Sequence, residues 1–486
     1  MTTQGTHVSS AADGRVAPSR EDEVVRSVSE IVGGPLGDHA GQHPWWTPLR
    51  VVLLLAAVAM SLGILAKAPC LDTAGGSGTG RYAAVCWTDT STAYVQNGYA
   101  EGYWPFTDDE QVRARYAPGW LPPLPAYVAF GSQRITALVS GSPDLEERAR
   151  LPVSEVAARP DVLREARIFT LVSTVLLAAA GLLTAGLLTG LRRRRPWDAA
   201  AFAAAPVLVL FFPITWDLLA AAAVGGALWA WSRQRTTATG VAIGVGAAAS
   251  PFAALLLVPA MALLLRQRRP REASVLAGGA VGAWSILMLP ALLSSPQAWQ
   301  TAWRGFFHGA DIGSSWLLVG QVLGWSPSRT AMIAVTAAGL LVVALAVVGL
   351  VWRTHWSFAS LGTLMIASAL IISPASSPSY ALILLPLAVA AVRRWSHLLV
   401  WQGCEVAHWA LLGFYLGGAL APAGGGEARA YWWAVATRIG GLTWLIVATR
   451  MQADELDSAD VDPVECRRGE PDADLDVLAD LGHTRP

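Results

Sequence analysis

Four groups of residues combine side-chain types that could do chemistry. The first runs Cys86-Trp-Thr-Asp-Thr-Ser-Thr-Ala-Tyr94 and then Gly98-Tyr-Ala-Glu-Gly-Tyr-Trp-Pro-Phe-Thr-Asp-Asp109, so that Asp89, Glu101, Asp108 and Asp109 stand among Trp and Tyr. Carboxylates in such a setting can take protons, and the aromatic rings suit sugar faces or a membrane–water interface. Ordinary solvated acids would leave the same pattern. The second group is Phe212-Pro-Ile-Thr-Trp-Asp217. An Asp between two apolar runs is costly unless it faces a cavity or a partner, which marks Trp216 and Asp217 as candidates for binding; a helix N-terminus would also favour Asp217. The third is Trp303-Arg-Gly-Phe-Phe-His-Gly-Ala-Asp-Ile-Gly-Ser-Ser-Trp316. Arg304 and His308, four residues apart, would share one helical face and could hold a phosphate, with Asp311 orienting His308. Basic side chains that reach for lipid headgroups need no special geometry and would be spaced alike. The last group, Glu405, His408 and Arg438, lies inside apolar stretches. Glu405 and Arg438 fall at similar depth, so a structural ion pair is expected there.

The elements that must position these groups follow from composition. Of 486 residues, 53% are hydrophobic and 14% charged, with 22 Trp and a mean hydropathy of +0.43. Soluble globular chains carry about 25% charge, so a polytopic membrane protein is the class left. Zero net charge with no basic domain argues against nucleic acid, and four Cys in this length exclude a disulfide-built scaffold. Acids concentrate at the two ends: six in residues 1–47 and eleven in 452–486, each with three Arg, leaving a net +11 between them. Both tails read as disordered, and no cleavable signal precedes the first apolar run. Candidate spans lie at about 48–68, 167–190, 197–212, 216–232, 238–250, 251–265, 273–293, 329–351, 356–372, 380–392, 396–419 and 431–449, with partial hairpins conceivable around Pro213, Pro251 and Pro378. With twelve crossings, Arg192–Arg195, Arg233, Arg235, Arg266, Arg268, Arg269, Arg271, Arg353, Arg393, Arg394 and Arg450 all fall on one side, which the positive-inside rule makes cytoplasmic. The expected layout is then a cytoplasmic tail (1–47), an all-α transmembrane domain (48–450) and an acidic cytoplasmic tail (451–486). Two loops lie outside, 69–165 and 294–327. Residues 119–139 and 144–158 of the first would be interfacial helices. Cys70 and Cys86 share that loop and could close a disulfide on an oxidising face; two free thiols are the alternative. The sequence holds no P-loop, nucleophile elbow or zinc spacing, and no metal is expected.

Read together, these stretches resemble the actinobacterial membrane glycosyltransferases of family 87, in the GT-C superfamily. Cys86-Trp-Thr-Asp89 with Gly98-Tyr-Ala-Glu-Gly102 looks like the family's Cys-Tyr-Ser-Asp segment and the run after it. Arg195-Pro-Trp-Asp-Ala-Ala200 and Thr215-Trp-Asp-Leu-Leu219 look like "RPWDAA" and "NWDLL". Ser377-Pro-Ser-Tyr380 with Leu384-Leu-Pro-Leu387 looks like "SPQY…LLPL", and Trp401-Gln402 with Glu405-Val406 like "WQ..EV". The resemblance implies a GT-C-like bundle of about twelve transmembrane helices in the plasma membrane, both termini cytoplasmic. It also implies an inverting transfer of a sugar, typically mannose, from a polyprenyl-phosphate donor to a lipid or glycan acceptor on the outer face. The donor is a substrate, so no cofactor is implied. Asp89 maps onto the general base, and Tyr380, Glu101, Trp216 and Asp217 fall in segments that would bind substrate, with Arg304 and His308 as phosphate candidates. Three places depart from the pattern: Ala248-Ala-Ser-Pro-Phe252 and Ser373-Pro-Ala-Ser-Ser-Pro-Ser-Tyr380 both lack the family's Lys, and Arg115-Tyr-Ala-Pro-Gly-Trp120 stands in place of the first loop's "EYPVLTG"-like segment. A non-catalytic protein on the same fold, a lipid-binding or partner subunit, is the alternative these departures raise. A transporter fits poorly, since no repeat relates the two halves.

Overall fold

A computed structural model of the chain describes residues 45–71, 88–116, 121–141, 143–192, 195–304, 309–325, 327–420 and 429–461, and all regular structure among them is helical. The side chains of Cys70 and Cys86, with the bridge expected between them, and the whole of His308 lie outside the described residues, as do positions 1–44 and 462–486. The principal helices are α1 (Pro48–Leu71), α2 (Asp89–Gln96), α3 (Pro123–Ser140), α4 (Pro160–Thr189), α5 (Pro206–Phe211), α6 (Asp217–Ser232), α7 (Thr236–Ala249), α8 (Leu257–Arg266), α9 (Pro270–Ser294), α10 (Ser315–Leu323), α11 (Arg329–Arg353), α12 (Phe358–Ile372), α13 (Ala381–Ala391), α14 (Trp395–Leu416) and α15 (Arg429–Val461). Proline opens many of them, because its missing N–H costs nothing in a first turn and its fixed φ is already helical.

Among the described residues, four helices are long and apolar enough to cross a membrane: α1 over Pro48–Ala68, α4, α9 and α11; α6, α7, α12 and others are shorter apolar helices. The expected span at 197–212 is not continuous. It divides into a 3-10 turn (Pro196–Ala199), a single turn (Ala200–Ala203) and α5, since Pro206 pushes Ala205 into an extended conformation with ψ 124°. The span expected at 251–265 is met by an apolar helix over Pro251–Arg266, in which Leu255 and Leu256 join Pro251–Ala254 to α8 in a right-handed turn, and an extended Ser250 separates it from α7. Pro378 starts a 3-10 turn that leads into α13. The boundary at 450 also moves: α15 continues to Val461, held by ion pairs from Arg450 to Asp454 (3.6 Å) and from Arg394 to Glu455 (3.0 Å). The interfacial helices expected in the first loop are α3 and two short helices, Leu145–Arg150 and Val153–Ala158.

All eleven residues of α13 are buried, so this helix, apolar all round, is the centre of the bundle. It packs against α6, α12 and α15. By contrast α9 exposes Val281, Ile286 and Leu293, and α11 exposes Leu341, Val342 and Leu345; such apolar outer faces suit lipid. Lipid tails give apolar helices no hydrophobic reason to associate, so close packing of small residues takes over. At the α7–α9 crossing a Cβ on Gly240 would stand 2.1 Å from the Leu276 carbonyl oxygen, and one on Gly244 2.2 Å from that of Ala280.

The ends of the helices sort into two faces. At one, Arg192 bonds the Ala390 carbonyl (2.6 Å), Arg233 that of Gly190 (3.0 Å), Arg266 that of Val351 (2.7 Å), and Arg269 reaches Gln234 (3.1 Å). At the other, the first loop and the loops at 212–217, 309–316 and 373–380 bond to one another and to α15, as set out next.

Candidate functional site

The first loop is clamped onto the start of α4 by buried charge. Arg148, 1% exposed, donates to Glu165 at 2.7 and 2.9 Å, to Asp161 at 2.7 Å and to the Ala100 carbonyl at 2.8 Å, while the Tyr94 hydroxyl donates to Glu165 at 2.7 Å. A second clamp joins Arg115 to Glu101 (2.6 Å) and to the Leu151 carbonyl (2.5 Å), with the Tyr116 hydroxyl also donating to Glu101. Burial, then the Glu101 carboxylate, push the Tyr116 hydroxyl well above its ordinary pKa, so it stays a donor. Glu101, expected to bind substrate, is buried: Oε1 is taken up by Arg115 and Tyr116 inside the loop, and Oε2 has no hydrogen-bond partner among the described residues. Its partners, Arg115 and Tyr116, lie fourteen and fifteen residues on, beyond any local pattern.

These clamps leave α2 aimed at the 212–217 loop. The Asp89 and Thr90 amides donate to the Ile214 carbonyl at 3.0 and 3.2 Å, and the Thr90 hydroxyl donates to the carbonyls of Pro213 and Ile214 at 3.0 Å each. Asp89, half-buried at the first position of α2, therefore sits over the segment that carries Trp216 and Asp217. Asp217 is the first residue of α6, where its charge suits the helix dipole; its carboxylate accepts the Thr215 hydroxyl at 2.5 Å. Trp216 is buried and its Nε1 has no hydrogen-bond partner among the described residues; the same holds for the hydroxyl of Ser250, which stands where the family pattern has Lys. Lys67, the only Lys in the chain and 3% exposed, donates to the Leu210 carbonyl at 2.8 Å, at the end of α5 just before this loop.

Tyr380 packs against Phe252 with ring centres 5.1 Å apart and the ring planes tilted by 57°, and Asp217, Asp311 and Arg438 all lie close enough to act on its hydroxyl through their charge. Asp311 lies in the loop before α10. Its amide donates to the Pro374 carbonyl at 2.9 Å, and its carboxylate accepts the Ile312 amide at 2.7 Å. Below it Arg438 binds the site's two loops together. Nη1 donates to the Gly313 carbonyl (2.8 Å), the Ser376 carbonyl (2.6 Å) and the Ser376 hydroxyl (3.0 Å), Nη2 to the Ser377 carbonyl (2.8 Å), and Nε to Glu405 (3.2 Å). Only glycine fits at 313, because a Cβ would stand 2.2 Å from Arg438 Nη1. Glu405 and Arg438 thus form a fully buried ion pair, and Trp401 Nε1 donates to the second carboxylate oxygen at 3.3 Å.

Arg304 stands apart from this constellation in its contacts: it is exposed at the end of the Pro296–Arg304 helix, donating to Gln300 at 3.2 Å. Asp89, Trp216, Asp217, Tyr380 and Asp311 belong to the loops and helix starts of one face; Thr90, Ser250 and Ser376 join them, lying in quoted stretches of the sequence without being singled out there as site residues. No group of three or more potential metal ligands occurs among the described residues. Chemically the face offers carboxylates for proton transfer and, in Trp216 and Ser250, buried donors suited to a hydroxyl-rich ligand.

Residues 158–374, a little under half of the chain, match the family described as Glycosyltransferase family 87. The resemblance read from the motifs holds over that stretch. No curated protein matches the chain. Among solved structures, that of ArnT from Cupriavidus metallidurans bound to undecaprenyl phosphate is similar, at 16% identity and a TM-score of 0.36, covering 87% of this chain and 81% of that one. The family match and the all-helical membrane fold agree on a membrane glycosyltransferase.

Proposed function

We propose that the protein moves a sugar, mannose by its family resemblance, from a polyprenyl-phosphate donor to a lipid or glycan acceptor at the outer face of the plasma membrane, with inversion. The observation that carries this reading is the docking of α2: its hydrogen bonds to the 213–214 carbonyls set the Asp89 carboxylate over Trp216 and Asp217. In this scheme the acceptor hydroxyl attacks the anomeric carbon while Asp89 takes its proton. The bond from that carbon to the phosphate oxygen breaks, and the electron pair leaves with the polyprenyl phosphate. One carboxylate suffices because phosphate is already a good leaving group. Trp216, Asp217 and Tyr380 would hold the sugar, and Arg304 and His308 would meet the phosphate, whose negative charge grows as it leaves. The scheme needs no metal.

The direct test is Asp89→Asn in membranes supplied with polyprenyl-phosphomannose and a lipid acceptor. Removing a general base costs about 10²–10⁴-fold in rate, so transfer should fall by that factor with the protein still folded. Unchanged transfer removes Asp89 as the base. The absence of Lys at Ser250 and Pro374 favours one other reading, a non-catalytic relative that binds lipid or serves as a partner subunit. Lipid binding without transfer from any donor would support it.

A further inference from the structure

At the face opposite Asp89, where the arginines gather, the C-terminal ends of α6 and α8 and the N-terminal end of α12 line an open pocket of about 420 Å³. Trp231, Trp356 and Phe358 form its aromatic walls, and Arg266, His355 and Ser357 its polar part. The Arg266 guanidinium is fixed in position: Nη1 donates to the carbonyls of Val351 (2.7 Å) and Thr354, and Nη2 to the His355 ring at 3.1 Å. A guanidinium has five N–H donors, and these contacts use three. Trp356 is fixed as well, its Nε1 donating to Asp454 at 3.1 Å. Ser357 caps α12 by accepting the Ser360 amide at 3.1 Å, so the positive end of a fifteen-residue helix dipole adds to the basic side chains. Glycosyl transfer at the other face makes no use of this cavity.

We propose that the cavity binds a phosphate-bearing group, the phosphate meeting Arg266 and His355 at the start of α12 and the adjoining apolar part lying on Trp231, Trp356 and Phe358. An anionic phospholipid headgroup and free phosphate share this chemistry. Aromatic walls at the ends of membrane helices, on the basic face, favour the lipid. The inference needs the membrane fold only and stands whether or not the protein transfers sugar.

The test uses the purified full-length protein with equal amounts of phosphatidylglycerol and phosphatidylcholine, retained lipid being read by native mass spectrometry. Wild type should keep phosphatidylglycerol preferentially. His355→Gln removes one partner, and Ser357→Asp adds a carboxylate while remaining a good helix cap. Each should cut the preference by roughly fivefold, the worth of one basic group near an anionic surface. In a second arm, inorganic phosphate that raises the melting temperature of wild type but not of Ser357→Asp identifies the free anion as the ligand. A lipid preference that neither variant changes overturns the proposal. So does equal retention of both lipids with no response to phosphate.

Discussion

Arg438 turns both Nη groups to two loops that the sequence separates by some sixty residues, and its Nε to Glu405. A guanidinium so occupied has little left for a substrate phosphate, and its role is to hold Asp311 and Tyr380 on one side of the bundle. Asp311 itself bears a measurable cost. Burial pushes its carboxyl above the ordinary range, and the Ile312 amide and the Arg438 charge oppose that only in part. A carboxyl whose pKa is raised on folding favours the folded state while protonated. Its contribution is fully present below the unfolded value, about 4, and is lost as pH rises through the higher folded value. Asp311→Asn should therefore melt near wild type in acid and above wild type at neutral pH, in paired thermal melts at pH 4 and pH 8. A gap of the same size at both pH values would show that Asp311 is not strained by its charge.

At the scale of elements, the α7–α9 crossing sets how tightly the bundle closes. Gly240→Leu would drive a side chain into the Leu276 carbonyl, and overpacking of this kind costs about 3 kcal/mol or more when backbone cannot yield. Gly278→Leu, on α9 with nothing within 4 Å of the added Cβ, is the matched control. Thermal aggregation in detergent should show the first variant clearly destabilised and the second close to wild type; equal effects would mean that the crossing is not the tight contact described. Much at this scale is legible in the sequence. Pro251 and Pro378 announce breaks through their chemistry, and runs of apolar residues announce α1, α4, α9 and α11, whereas Pro206 lies inside the expected span at 197–212 and interrupts it. Glu405 and Arg438 announce a pair because two buried charges need one another. What the sequence hides is partner choice. Glu101 carries the same acid as Asp89, and only the fold reveals that Arg115 and Tyr116 neutralise it. The acceptors of Arg438 on the loops are mostly backbone carbonyls, which every residue has, so no pattern could mark them. Past Gln452, α15 is met by Arg394 and Trp356, which come from the loops before α14 and α12.

For the whole molecule, the division into two faces decides where any chemistry takes place. Arginine-bearing ends meet at one face, while Asp89, Asp217, Asp311 and Tyr380 belong to the other, with α13 buried between them. Applied to that division, the positive-inside rule predicts an orientation, the arginines in the cytoplasm and the carboxylates outside, where the proposed lipid-linked sugar would be met. A single cysteine at each face distinguishes the two possibilities, in a background with the four native cysteines replaced. Asp108 and Arg268 are both exposed, the first in the loop that carries Asp89 and the second beside Arg266. Asp108→Cys should react with a membrane-impermeant maleimide on intact cells, and Arg268→Cys only after permeabilisation. The reverse pattern would put the carboxylates in the cytosol, where a nucleotide sugar is as available as a polyprenyl one, and the proposed donor would lose its physical basis.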